Sequence, residues 1–256
     1  MKKFALAMTA SMLALAAPAV AGDGFYMGLG LSYNSNENVA RHSLAPSGTW
    51  FTANNRAAIN AAPTTDVSTD VFAANLMFGY RTHVASNVFA GIEADATVFD
   101  GEADDFHTQN YPDAPGAFTL NQHISQQWIS TLRLRLGIDI TPDVAAFVTA
   151  GGSVSDVELR TTYSDTYPLN QRILAQSGVS SELQTGWVYG GGFDWAMGGS
   201  TSLRVEYLRH DLGHLKNART LTWNTGANTP GPEVLRSDAD LNTNSIRVGL
   251  VWDLNL

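Results

Sequence analysis

The chain has no cysteine, which rules out both disulfide staples and thiolate metal sites. It is also short of basic residues, with 15 Lys and Arg against 24 Asp and Glu for a net charge of −9. An acidic chain repels phosphate backbones, so nucleic acid is not an expected partner. Nothing in the middle of the sequence has the composition of a linker, and the chain reads as one domain.

The first residues are "MKKFALAMTASMLALAAPAVAG". Lys2 and Lys3 precede an apolar run of signal-peptide length, followed by Pro18 and the small-residue pattern Ala19-Val20-Ala21. This is read as a secretory signal, residues 1–21, with the mature domain over 22–256. Removing the two lysines takes the Lys and Arg count from 15 to 13 and the net charge from −9 to −11. An exported chain without disulfides must hold its fold by burial and backbone pairing alone.

Hydrophobic residues recur with a period of two. In "ISTLRLRLGIDI" (129–140), Leu132, Leu134 and Leu136 share one face of an expected strand, and Arg133, Arg135 and Asp139 share the other. Eight such stretches lie near 24–33, 70–82, 88–99, 127–140, 144–158, 184–197, 201–211 and 242–256. Each is long enough to cross a bilayer at a tilt, for which about 9 to 11 residues suffice. Their connections alternate strictly between long and short. The short ones are "HVASN", "TPD" and "GGS", and the long ones cover 34–69, 100–126, 160–183 and 212–241. Long structureless loops are rare in compact soluble domains, whereas short turns at one end and long loops at the other mark outer-membrane barrels. The expected fold is all-β: an eight-stranded antiparallel up-and-down transmembrane β-barrel.

Alternation alone does not say which face is inside, because a lipocalin-like soluble barrel has the same period with an apolar interior. Two features decide it. Glycines such as Gly79, Gly91, Gly190, Gly192 and Gly249 share the charged face, as a crowded lumen requires, and Tyr80, Trp195, Tyr207 and Trp252 lie near strand ends, where interfacial girdles form. The leucines are therefore assigned to lipid and the charges to the lumen. The expected interior network is Arg81, Glu93, Asp95, Arg133, Arg135, Asp139, Asp194, Arg204, Glu206, Arg247 and Asp253. Counting residues from the short turns pairs Glu93 and Asp95 in depth with Arg135 and Arg133. The "GGS" turn, with Met197 opposite Thr201, sets Asp194 against Arg204.

The segments "GWVYGGGFDWAMGGSTSLRVEYLRHDLG" (186–213), "NSIRVGLVWDLNL" (244–256), "TLRLRLGIDITPDVAAFVTAGG" and "GFYMGLGLSY" resemble strands of the small outer-membrane β-barrel surface-antigen family, a porin-family, OmpA-like architecture. The resemblance implies an outer-membrane location, a monomer surrounded by lipid and lipopolysaccharide, and contact with the outer-membrane assembly machinery through the last strand. That family ends in an aromatic residue. Here the last residue is Leu256, in outward phase with Leu254.

Three motifs are weighed for chemistry. His210, Asp211 and His214 in "LRHDLGH" offer an acid/base pair of the kind a barrel protease or lipid deacylase uses, without a fixed serine beside it. Asp100, Glu102 and Asp104 are spaced as a calcium loop begins, but Asp105 and Tyr111 occupy the positions that need glycine and glutamate. The glycines at 190–192 precede no helix and are no phosphate cradle. No catalytic, metal or cofactor site is assigned. The expected role is structural and surface-interacting, with four loops displayed outside the cell; the alternative is a small solute pore.

Overall fold

In a computed structural model of the chain, the described residues are 23–45, 50–63, 65–66, 68–166, 173, 175–222 and 233–254. The signal segment 1–21 and Leu256 lie outside them. The elements are β1 (Gly24–Asn36), β2 (Val39–Leu44), α1 (Ala53–Asn60), β3 (Thr65–Asp66), β4 (Thr69–Ala85), β5 (Val88–Asn110), β6 (Ala117–Thr141), β7 (Val144–Asp165), β8 (Gln176–Gly198), β9 (Thr201–Leu221) and β10 (Glu233–Leu254).

From β4 to β10 each strand pairs antiparallel with the next, and β1 closes the ring by pairing with both β4 and β10. β2 continues the line of β1 along the upper part of β10, and β3 pairs with β2 just before β4 begins. Two interrupted staves and six continuous ones therefore make the eight-stranded barrel expected from the alternation. Closure leaves no edge at membrane depth, which the absence of water there demands.

The strands are longer than the sequence period suggests. β5, β6 and β8 run 23, 25 and 23 residues, so most of 100–126 and 160–183 is sheet rather than loop. β5 and β6 are joined by residues 111–116 alone. Twenty-two residues at about 3.3 Å each, tilted about 40°, reach roughly 55 Å along the axis, against an apolar band of about 25 Å. The other end carries two-residue hairpins at Ser86–Asn87, Pro142–Asp143 and Gly199–Ser200. Gly198 and Gly199 have φ of 102° and 63°, where side chains with a Cβ are disfavoured.

The outer surface changes character along each strand. Near the hairpins it is apolar, with Leu132, Leu134, Phe193, Trp195, Val205 and Val248 all exposed. Farther up it becomes polar: Val98 gives way to Asp100, Glu102 and Asp104 on β5, and Tyr207 to Arg209 and Asp211 on β9. A band of exposed hydrocarbon between two polar ends is the surface a bilayer covers.

Candidate functional site

The lumen is filled in layers. In the apolar-band region, five arginines and five carboxylates converge. Arg133 Nη2 lies 2.5 Å from Glu93 and 2.9 Å from Asp95, and its Nη1 lies 3.0 Å from Glu206. Arg135 reaches Glu93 at 3.3 Å and Asp194 at 3.2 Å. Arg204 Nε donates to Asp194 at 2.6 Å while its Nη1 donates to Glu93. Arg247 lies 3.0 Å from Asp95 and 3.5 Å from Glu206. Arg81 ties Asp253 at 2.7 Å and approaches Asp194 at 3.7 Å. All are nearly inaccessible except Asp253, whose side chain is 14% exposed.

Asp139 does not join them. It accepts from His83 Nε2 at 2.8 Å at the hairpin rim, while His83 Nδ1 meets Asp23 at 2.6 Å. Asp139 keeps the inward phase of Arg133 and Arg135, in register opposite Ala145, but it is the last such position before the turn and its partner there is His83. The depth match made from the turns is also corrected: Glu93 stands opposite Arg133, and Arg135 opposite Gly91, because Val88 pairs with Ile138. Asp194 stands opposite Arg204, although Gly198 rather than Met197 faces Thr201 and Met197 forms the irregularity.

Aromatic rings wedge the cluster. Tyr26 donates to Glu93 at 2.8 Å and accepts from Arg135 at 2.9 Å, and Arg135 lies 3.7 Å over the Phe147 ring. A Cβ at Gly79 would strike the Tyr26 ring, and one at Gly137 the Phe89 ring. These two glycines thus make room for the Tyr26 and Phe89 rings. Tyr26 had a signal in the sequence, since it is in phase with Gly28 and Gly30.

Above the charges come Ser32, Asn34, Asn75, Thr97, Gln126, Ser155 and His210, then an apolar layer of Ile124, Ile129, Val157, Leu159, Leu212, Leu215 and Leu241. The mouth is closed by α1. Thr52 caps this short helix by accepting from Asn55 N at 3.2 Å. Eight residues make a marginal helix alone, so docking must hold it. Phe51, Ala58, Ile59 and Ala62 pack against Leu44, Phe118, Tyr163, Leu221 and Leu235 of the wall. Arg56 binds buried Glu233 at 2.7 Å and the Ala45 carbonyl at 2.7 Å. Glu233 also accepts from Trp50 N at 2.7 Å. His42 Nε2 donates to the Ile59 carbonyl at 2.9 Å, and burial holds this imidazole below its ordinary pKa. Burial likewise raises the Tyr111 phenol, which bonds Tyr163 and Asp165. Arg56 and Glu233 are far apart in the chain, and no periodicity linked them.

The other motifs separate. His210 is wholly buried while its neighbour Asp211 points outward and accepts from Gly213 N at 3.0 Å. His214 lies outside with Asp240, so no acid/base pair forms from this stretch. His214, Asp238 and Asp240 come close enough to share a cation, but Arg41 already lies 2.6 Å from Asp240 and 3.8 Å from Asp238. Asp100, Glu102 and Asp104 lie on β5, side by side on its outer face rather than curled in a loop.

Comparison with known proteins gives this architecture a family: the outer membrane protein beta-barrel domain matches residues 4–253. The chain belongs to that family. It is an outer-membrane protein. The 31 kDa outer-membrane immunogenic proteins of Brucella melitensis and Brucella suis are each 25% identical over 148 residues, or 58% of this chain. The chain spans 57% of the length of these relatives. Among solved structures, the outer membrane protein OprG of Pseudomonas aeruginosa aligns over 92% of this chain and 100% of its own at 13% identity and a TM-score of 0.46. Ail, the attachment invasion locus protein of Yersinia pestis, aligns over 88% and 99% at 9% identity and a TM-score of 0.29. Membership in the barrel family makes the apolar band the membrane-spanning zone.

Proposed function

We propose that this barrel is a closed membrane anchor whose loop end stands outside the cell and makes its contacts there, with a structural and surface-interaction role. The reading is supported by the paired arginine–carboxylate cluster inside the barrel and by the packing of α1 residues against the wall at the mouth. An eight-stranded barrel is just wide enough for its own side chains to fill, and here they are large, charged and mutually paired. The hairpin end faces the periplasm, as short turns do in bacterial barrels. The names of the Brucella relatives, which describe outer-membrane immunogenic proteins, support exposure at the surface. In this reading lipid and lipopolysaccharide surround a monomer, and the last strand engages the assembly machinery. Liposomes carrying the purified protein are expected to swell in arabinose no faster than protein-free liposomes; rapid swelling would favour the solute-pore reading.

A further inference from the structure

A polar belt lies between the two apolar layers of the upper lumen. On four wall strands the inward row passes from the layer under α1 to the layer below it through one uncharged polar residue. On β6 the order is Leu120, Gln122, Ile124, and on β7 it is Tyr163, Thr161, Leu159. On β10 it is Leu235, Ser237, Ala239, and on β2 it is Leu44, His42, Ala40. The ladder joins these residues side by side. Gln122 stands opposite Thr161, and Ser237 stands opposite both Asn217 of β9 and His42. Thr161 faces Gly178 of β8, where a Cβ would strike the Asn217 amide, so the belt continues across β8 as well. Its charged member, Asp105, stands opposite Gln122 on β5 and is half-buried. Ile59 of α1 is wholly buried above the belt, where its carbonyl accepts from His42 Nε2.

The belt is not satisfied by its own members. Gln122, Thr161 and Ser237 are 2%, 1% and 3% exposed. Gln122 Oε1 and Nε2, Thr161 Oγ1, Ser237 Oγ and His42 Nδ1 are all buried with no hydrogen-bond partner among the described residues. Asn217 Nδ2 does donate, to the Leu159 carbonyl at 3.4 Å. Buried polar atoms in folded proteins are paired with protein or with an enclosed molecule, because an unmade bond leaves the desolvation cost of the group standing. Five such atoms in one belt, with hydrocarbon above and below, mark a place where another molecule supplies the partners. Its chemistry follows from theirs. The Thr161 and Ser237 hydroxyls donate and accept, the Gln122 amide does each through a different atom, and a neutral imidazole donating through Nε2 accepts at Nδ1. The belt contains no lysine or arginine to hold an anion. An eight-stranded lumen leaves little room beyond its own side chains, so the occupant is small.

We propose that this belt is an enclosed binding site for small uncharged hydroxyl compounds, water or a short polyol, roofed by α1. A hydroxyl donates and accepts through one atom, which suits a belt of mixed donors and acceptors. The lower apolar layer separates the site from the arginine–carboxylate cluster, and the upper one separates it from the outside, so the occupant exchanges when α1 lifts. The site rests on the interior of the barrel alone and is independent of what the loop end contacts.

The test is NMR of the full barrel in lipid nanodiscs with isotope-labelled glutamine. The Gln122 side-chain amide should show a cross-peak to water of the sign that long-lived bound molecules give. Glycerol is the polyol probe. A saturable shift of that amide with glycerol, accompanied by loss of the water cross-peak, assigns the site to polyols; a water cross-peak that glycerol leaves unchanged assigns it to water. Either result supports the proposal. Thr161→Val keeps the outline of the side chain and removes one partner, and should weaken the water cross-peak about twofold with heat-modifiable gel mobility unchanged. Arg56→Ala, which releases α1 from Glu233, should speed deuterium exchange of the Gln122 amide about tenfold. A Gln122 amide with neither a water cross-peak nor a glycerol shift, or a cross-peak unaffected by Thr161→Val, would overturn the proposal. Unchanged exchange in Arg56→Ala would overturn α1 as the roof.

Discussion

Replacing Arg204 with methionine keeps most of the side-chain volume and removes one charge from the centre of the network. Arg204 holds Asp194 through Nε at 2.6 Å and Nη2 at 2.9 Å, and it donates to Glu93 as well. The variant does not strand either carboxylate completely. Asp194 retains Arg135 at 3.2 Å and Arg81 at 3.7 Å, and Glu93 retains Arg133 and Arg135. The lumen nevertheless gains one uncompensated negative charge at a level where side chains are 0–3% exposed. Breaking a buried pair costs about 3 to 5 kcal/mol, and the surviving partners place this loss near the lower bound, about 3 kcal/mol. With a urea slope of about 2 kcal/mol per molar, the unfolding midpoint should fall by about 1.5 M. The assay is urea unfolding in lipid vesicles, read by tryptophan fluorescence and by heat-modifiable mobility. Adding Asp194→Asn should recover part of the loss, because it restores neutrality. A midpoint shift below about 0.3 M would put the pair in the range of exposed salt bridges and refute a water-poor lumen.

Other outcomes follow from the packing and the cap. Gly79→Val and Gly137→Val set a side chain into the Tyr26 and Phe89 rings and should each cost about 1 to 3 kcal/mol, checked in the same urea assay. His42 is held below its ordinary 6.5 by burial. An undocked cap therefore binds the proton more readily, so docking is at full strength above pH 6.5 and weakens as pH falls below it. In this cysteine-free chain, Ala58→Cys should react faster with a thiol reagent at pH 5 than at pH 7.5, relative to the exposed control Ala57→Cys; an unchanged ratio would remove His42 from the latch. Arg56→Ala should leave Glu233 buried without its cation and raise Ala58→Cys reactivity already at pH 7.5. An epitope inserted at Gly116, in the β5–β6 connection, should be labelled on intact cells, and one at Pro142–Asp143 should not; the reverse would invert the topology.

The alternation was readable where physics imposes it on every residue. Between Val88 and Val98, or Leu132 and Ile140, one side meets lipid and the other a charged lumen, so polarity switches at each step. Farther up, both sides of the wall meet polar surroundings. In "GEADDFHTQN" outward Glu102 and Asp104 alternate with inward Ala103 and Asp105, and the contrast that marks a strand disappears. This is why β5, β6 and β8 outrun their expected ends. Most of the inward charges share their phase with glycines of their own strands, as Glu93 does with Gly91 and Asp194 with Gly192, whereas the partner of Asp139, which is His83 at the rim, is a contact that no period reveals. Tyr26 was in phase but chemically ambiguous, since an aromatic suits either face. The cap was invisible: its hold on the wall is the contact of Arg56 with Glu233, made only once the barrel has closed.

Single-channel recording in planar bilayers tests the closed lumen most directly. Intact protein should show no steady conductance, and a variant lacking residues 50–62 should show none either, because the arginine–carboxylate cluster still fills the membrane-level lumen. Stable ohmic openings of the intact barrel would contradict the account and establish a pore in its place.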